Sequence, residues 1–215
     1  MRMIITAGPT REPIDPVRFI SNRSTGRMGF ALAERAVARG HAVTLVSGPV
    51  TLSTPAGVTR VDVESAREML AAVESALDTC DALVMCAAVA DFRPAQVSAV
   101  KLKKRELSPS LLLEPNPDIL TSVLPRKGPR LFIGFAAETG DPKLEARRKL
   151  EEKGLDLIVA NDVSQPDAGF AVDTNRVTLI PRNGEPQSWP LLSKTEVADR
   201  IVAWMENFEA GRAST

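Results

Sequence analysis

The chain has 215 residues, 44% of them apolar and 25% charged, with 27 basic and 27 acidic side chains in balance. That length supports a full hydrophobic core, zero net charge gives no non-specific pull towards nucleic acid or a membrane surface, and no apolar run is long enough to span a bilayer. One histidine, His41, and two cysteines, Cys80 and Cys86, argue against a His/Cys zinc cluster, a disulfide framework and a Ser-His-Asp triad, and suit a reducing cytoplasm.

The N-terminus reads as a strand, 3–7, and lacks the charged and apolar regions of a signal peptide. A turn, Gly8-Pro-Thr10, and a loop, Ile20-Ser-Asn-Arg-Ser-Thr-Gly-Arg-Met-Gly29, lead into a helical pattern over 25–39. Free backbone N–H groups and the positive end of the helix dipole make such a place bind phosphate. The loop is neither the dinucleotide fingerprint G-x-G-x-x-G nor the P-loop G-x-x-x-x-G-K-[ST]. It carries an asparagine and two arginines that neither motif requires. Strands follow at 42–47, just after His41, and at 59–63, then a helix at 65–77 and a strand at 82–87. Small residues in Ala87-Ala-Val-Ala-Asp-Phe-Arg93 let a ligand approach the backbone closely. Asp91 there reads equally as a ligand of magnesium or a ribose hydroxyl and as a turn cap.

Residues 93–116 are too long for a plain connection and hold the basic cluster Lys101-Leu-Lys-Lys-Arg105. Such a cluster is usually a solvated edge, but in a long loop beside a phosphate site it can close over a triphosphate. A helix at 117–124 begins at Asn116-Pro-Asp118, where Asp118 reads as its cap. A strand at 131–136 leads into Phe135-Ala-Ala-Glu138, and a helix at 142–153 puts Lys149 and Lys153 on one face. That pair alone reads as a solvated surface. After a strand at 156–160, the segment 161–192 holds a hairpin signal, Arg182-Asn-Gly184. Its edge offers a surface for partner pairing. An amphipathic helix at about 194–207 closes the chain, with 209–215 expected to fray. The alternation predicts an α/β fold, a Rossmann-like doubly wound and mostly parallel sheet with a β-hairpin extension and a flap, forming one domain over 1–208. Ligands of such sheets gather at the carboxyl ends of the strands.

Tyrosine is absent, which rules out the Tyr-x-x-x-Lys pair of short-chain dehydrogenases. Hydride transfer to a carbonyl then has no obvious acid. Activation of an acid by a nucleotide needs only cations and dipoles on phosphorus and donors that orient an acyl group. An NAD(P)-dependent reductase and a nucleotide-sensing domain are the competing classes.

Gly8-Pro-Thr-Arg-Glu12, Asp15-Pro-Val-Arg18, the 20–29 loop, Ala87 to Arg93, Lys101-Leu-Lys-Lys104, Asn116-Pro-Asp118, Gly134-Phe-Ala-Ala-Glu-Thr139 and Ala160-Asn-Asp162 together resemble the bacterial phosphopantothenoylcysteine synthetase family, over about residues 3–206. The resemblance implies a ligase that joins 4′-phosphopantothenate to L-cysteine with CTP, through an acyl-cytidylate, releasing pyrophosphate and CMP. It implies catalytic roles for Asn22, which orients the acyl group in the second step, and for Lys101, on the flap. It implies nucleotide contacts from Ser24, Gly26, Met85, Cys86, Ala87, Asp91, Lys101, Pro117, Asp118, Ile119, Leu120, Phe135, Lys149 and Lys153. Acid-substrate contacts fall to Asn22, Ala87 and Ala88, and Mg2+ to Asp91. The resemblance overturns the solvated-surface reading of the Lys149–Lys153 pair. It further implies a cytoplasmic homodimer joined largely through 161–192, and a flavin-dependent phosphopantothenoylcysteine decarboxylase as fused or associated partner. Arg27 stands where several relatives have lysine, with charge kept.

Overall fold

The computed structural model describes residues 1–104, 110–138, 143–162 and 172–213. Eight strands build the main sheet: β1 (Arg2–Ala7), β2 (Ala42–Ser47), β3 (Thr59–Asp62), β4 (Ala82–Met85), β5 (Leu131–Glu138), β6 (Leu157–Asp162), β7 (Val177–Pro181) and β8 (Gln187–Ser188). Their order is β8-β7-β6-β5-β4-β1-β2-β3. All neighbours from β3 to β6 run parallel, and β7 and β8 are added antiparallel. The first six strands thus have the doubly wound order 3-2-1-4-5-6, whose direction of winding reverses between β1 and β4.

Side-chain alternation along β1 shows why the sheet needs two covering layers. Met3, Ile5 and Ala7 face helices α1 (Arg27–Ala38) and α5 (Lys194–Ala213), meeting Phe30, Leu32, Ile201 and Met205. Ile4 faces the other side, where α2 (Ala66–Leu77), α3 (Ile119–Val123) and α4 (Lys143–Glu152) supply Met69, Leu77, Val123 and Leu150. The strand period of two sends successive residues into opposite cores. α1 lies very close to β1, for a Cβ on Gly29 would stand 2.5 Å from Ala7 Cβ.

The predicted strands and helices are all present, with shifted ends. β4 stops at Met85 rather than 87, because Cys86 N–H and Ala87 N–H both donate to Thr6 Oγ1 at 3.1 Å and leave the ladder. β5 and β6 run on to Glu138 and Asp162, since they continue to pair beyond Ala136 and Ala160. The hairpin forms, but five residues, 182–186, join its strands, with Gly184 at φ 115°. α5 runs on to Ala213, through the first residues of the segment 209–215 expected to fray. Arg212 ties that last turn down, donating to Pro129 O at 2.6 Å and lying over the Phe208 ring, which stacks on Trp204. Parts of the flap (105–109) and of the 161–192 segment (163–171) lie outside the described residues.

Two short antiparallel ribbons stand beyond the sheet's carboxyl edge. One pairs Arg11–Pro13 with Phe19–Ser21, the other Phe92–Pro94 with Leu113–Pro115. Among the described residues, no helix is long and apolar enough to cross a membrane.

Candidate functional site

The loops after β1 and β4 meet where the winding reverses. Ala88 N–H donates to Gly8 O at 2.9 Å, and Thr10 N–H to Ala88 O at 3.2 Å, so the two chains continue side by side past the sheet. Thr10 Oγ1 accepts from Ala90 N–H at 2.9 Å. Thr6 and Thr10 thus use hydroxyls to hold the Ala87–Ala90 backbone where strand pairing has ended. Thr6 did not stand out in the sequence, and Thr10 entered only as a member of Gly8-Pro-Thr-Arg-Glu12, with no role of its own.

The helix end beside this loop is open. Gly26 caps α1 in the left-handed region, φ 78°, and among the described residues no side-chain cap bond closes the first turn. Ser24 Oγ accepts from Gly26 N–H at 3.3 Å and shapes the approach. An uncapped N-terminus leaves donors pointing at whatever enters.

Two adjoining cavities run along this edge. The larger, about 360 Å³, includes Asn22, Ser24, Gly26, Cys86, Ala87, Ala88, Asp91, Phe135, Lys149 and Lys153 in its wall. The smaller, about 220 Å³, takes in Met85, Ala87, Asp91, Pro117, Asp118, Ile119, Leu120, Phe135 and Lys153. Ala87, Val89, Asp91, Phe135 and Lys153 line both, so the two form one cleft. Its smaller end, a slot, sets the apolar side chains of Met85, Ile119, Leu120 and Phe135 beside the polar groups of Asp91, Asn116, Asp118 and Lys153, a combination that can hold a flat ligand and fix its edges.

Asp118 holds both readings at once. Its Oδ1 caps α3 through Thr121 N–H at 2.9 Å, and its Oδ2 meets Lys153 Nζ at 2.6 Å. Burial alone would raise its carboxyl, but Lys153 and the cap outweigh that and hold it below the usual range. Asn116 staples the slot wall, donating to Ala90 O at 2.9 Å and accepting from Arg93 at 3.0 Å. Burial pushes the Cys86 thiol up to about 12, so it is a neutral wall group and not a nucleophile. Asn22 donates to Ala88 O at 3.0 Å, which fixes its amide against the loop. The Asp91 carboxylate has no hydrogen bond or ion pair among the described residues.

Every expected site residue except Lys101 lies on this cleft. Lys101 is exposed and lines neither cavity. Its segment is pinned elsewhere: Leu102 N–H donates to Asp15 Oδ2 at 3.1 Å, Leu102 O accepts from Arg18 at 3.0 Å, and Ser98 N–H donates to Ile14 O at 3.0 Å. The Arg18 guanidinium, bound to Asp15, holds that carboxyl far below its ordinary value against the opposing effect of burial. The larger cavity also includes Arg27, Asn161, Asn175 and Lys194, which the sequence reading did not place in a site. Asn161 stood just past the predicted strand 156–160, within Ala160-Asn-Asp162, and Lys194 at the start of a helix; only tertiary structure brings them here.

A six-strand doubly wound order with a cleft at its winding reversal defines a Rossmann-like α/β protein. The profile of the DNA/pantothenate metabolism flavoprotein C-terminal domain matches residues 1–208, and the chain belongs to that family. It is 48% identical over 201 residues to the Coenzyme A biosynthesis bifunctional protein CoaBC of Bacillus subtilis (strain 168), covering 93% of this chain and 50% of that protein. It thus spans about half the length of the curated relatives it matches. Among solved structures, the C-terminal domain of a CoaBC superposes with TM-score 0.83 at 46% identity, covering 98% of both chains. A Cab2 H337A variant in complex with phosphopantothenate-cysteine shares the fold, with TM-score 0.77 at 17% identity over 99% of this chain and 88% of that one.

Proposed function

We propose that this chain is a CTP-dependent phosphopantothenate–cysteine ligase of coenzyme A biosynthesis. The observation that carries the reading is the two-part cleft. A slot suited to a base adjoins a cavity at an open helix N-terminus, and Asp91, Phe135 and Lys153 line both parts. Membership of the family and the likeness to the C-terminal domain of CoaBC support it.

In this reading the base lies between Phe135 and the Pro117–Leu120 turn. The phosphates lie by Ser24, Gly26, Lys149 and Lys153, where helix dipole and cations stabilise charge. A carboxylate oxygen of 4′-phosphopantothenate attacks the α-phosphorus, and pyrophosphate leaves with the electron pair of the broken P–O bond. The cysteine nitrogen then attacks the acyl carbon. CMP leaves with the electron pair of the acyl C–O bond, and the surplus proton on nitrogen passes to solvent. Asn22, Ala87 and Ala88 orient the acyl group, Asn22 with an amide already turned to the loop.

Among the described residues no group of three or more His, Cys, Asp or Glu is placed to hold a metal. One unpaired carboxylate, Asp91, suits Mg2+ carried in on phosphate oxygens and water. That ion would neutralise charge on the phosphates. A flavin-dependent decarboxylase, fused or associated, would take the product. Its addition would account for relatives twice as long.

A pyrophosphate-release assay tests the proposal. Release should require 4′-phosphopantothenate and CTP, be far weaker with ATP, and yield the cysteine adduct only when cysteine is present. CTP binding without any pyrophosphate would make the chain a nucleotide sensor instead.

A further inference from the structure

Past the end of β4 the chain commits its main-chain donors one after another. Cys86 N–H and Ala87 N–H both go to Thr6 Oγ1, Ala88 N–H to Gly8 O, and Ala90 N–H to Thr10 Oγ1. Both threonines are fully buried, so water does not compete for these bonds. In the stretch from Cys86 to Ala90, only Val89 N–H has no partner among the described residues. Val89 is half-buried and lines both cavities of the cleft.

The direction of that free donor follows from its neighbours. Ala88 gives its N–H to Gly8 O and takes Thr10 N–H on its own oxygen, the pairing of a parallel bridge with Pro9. Ala90 N–H turns to the same side. In such a ladder the residue between two paired ones directs its N–H the other way. Val89 N–H therefore faces away from the continuation of β1. β4 stands between β1 and β5, so the opposite side is that of β5, whose Phe135 also lines both cavities.

We infer that Val89 N–H is a catalytic donor to a non-bridging oxygen of the nucleotide's α-phosphate, and that Thr6 and Thr10 are positioning residues that aim it. The inference rests on the ligase reading above. With the base in the slot and the outer phosphates by α1 and α4, the α-phosphate lies where the two cavities join. As the carboxylate oxygen bonds to phosphorus, the bond to the pyrophosphate oxygen breaks and pyrophosphate takes the electron pair. Negative charge rests on the non-bridging oxygens throughout. A donor fixed from behind by two buried hydroxyls stabilises that charge without having to reorganise.

The direct test replaces Val89 by its α-hydroxy acid, which keeps the side chain and turns the N–H into an ester oxygen. Single-turnover pyrophosphate formation should slow by roughly 10²-fold, the usual loss for one such donor, while CTP affinity changes far less. A wild-type rate overturns the assignment. Normal pyrophosphate formation followed by a slow cysteine step also overturns it, and moves the donor to the acyl oxygen. A second readout is the ratio of kcat/KM for the two diastereomers of CTP carrying sulfur on the α-phosphate, measured within each variant so that a loss of folded protein cancels. Sulfur accepts hydrogen bonds weakly, so wild type should favour one diastereomer and the ester should shrink that preference. Thr10→Val, which frees Ala90 N–H, should shrink it too, and Thr10→Ser, which keeps the hydroxyl, should restore it. A preference unchanged in the ester overturns the donor, and one unchanged in Thr10→Val overturns the positioning role. Wild type that releases no pyrophosphate from CTP would instead overturn the ligase reading beneath it.

Discussion

In the proposed reaction, Asn22, Lys101 and Lys149 would divide the work among single side chains. The Asn22 amide is held on Ala88 O, so Asn22→Asp places a carboxylate against a carbonyl oxygen and removes a donor. Pyrophosphate release should persist while the cysteine-dependent step slows by roughly 10²-fold, the usual loss for one oriented donor. Rapid quench should then show acyl-cytidylate accumulating, and wild-type turnover would remove the role. Lys101 is a different case. It stands outside both cavities, so its charge reaches the phosphates only if its segment moves. Lys101→Gln should lower kcat by roughly 10²-fold with a much smaller change in CTP affinity, as for a group engaged only in the transition state. Lys149→Ala, on a helix and lining the cleft, should raise KM for CTP and leave kcat closer to wild type. A large loss of CTP affinity in Lys101→Gln would make that residue a plain binding group.

Gly29 and Asp15 carry the predictions that belong to whole elements. Gly29→Ala would put its Cβ 2.5 Å from Ala7 Cβ and 3.0 Å from Thr6 O. α1 would have to back off β1, for about 1–3 kcal/mol, and its open N-terminus would move with it. Denaturant unfolding should show a lower midpoint at constant slope, and nucleotide binding should weaken in parallel. Asp15 anchors the Lys101 segment as a charged group whose carboxyl is held well below its ordinary value. The stability it contributes is therefore present above the unfolded aspartate pKa of about 4 and is lost as pH falls below that. Asp15→Asn should be less stable at neutral pH, fall less steeply on acidification, and let trypsin cut faster at Lys101 and Lys103. The periodicity that made the strands and helices readable comes from local burial, and it places Asp118, Phe135 and Lys153 at element ends where a ligand could sit. It says nothing of Thr6, whose hydroxyl ends β4 from 80 residues away, or of Asn175, whose place depends on Leu192. Tertiary partners decide those positions, and no period or spacing in the chain encodes them.

At the scale of the molecule, the sheet leaves one surface unlike the rest. Val17, Phe19, Phe92, Val97, Val100, Leu111, Leu112 and Leu113 are all exposed, Val100 at 70% and Leu112 at 76%. They sit on the two ribbons and their connections; Ala95 N–H on Leu112 O extends the second ribbon, and Ser98 N–H on Ile14 O joins it to the first. A run of apolar side chains this large marks an interaction surface. The segment 161–192, expected to carry the dimer contact, has only Leu191 as a large exposed apolar residue among its described residues, and its edge strand β8 shows Gln187 and Ser188 to solvent. A homodimer is therefore predicted to form through the ribbons, the same patch from each copy meeting across a two-fold axis. Leu112→Asp should shift the protein to monomer in sedimentation equilibrium at micromolar concentration, and Gln187→Pro should not. The reverse result would return the interface to the hairpin. Val97 and Val100 share a segment with Lys101, so the monomeric variant should also lose turnover per subunit while its CTP affinity holds, because the strand of chain that carries the lysine would lose one of its two supports.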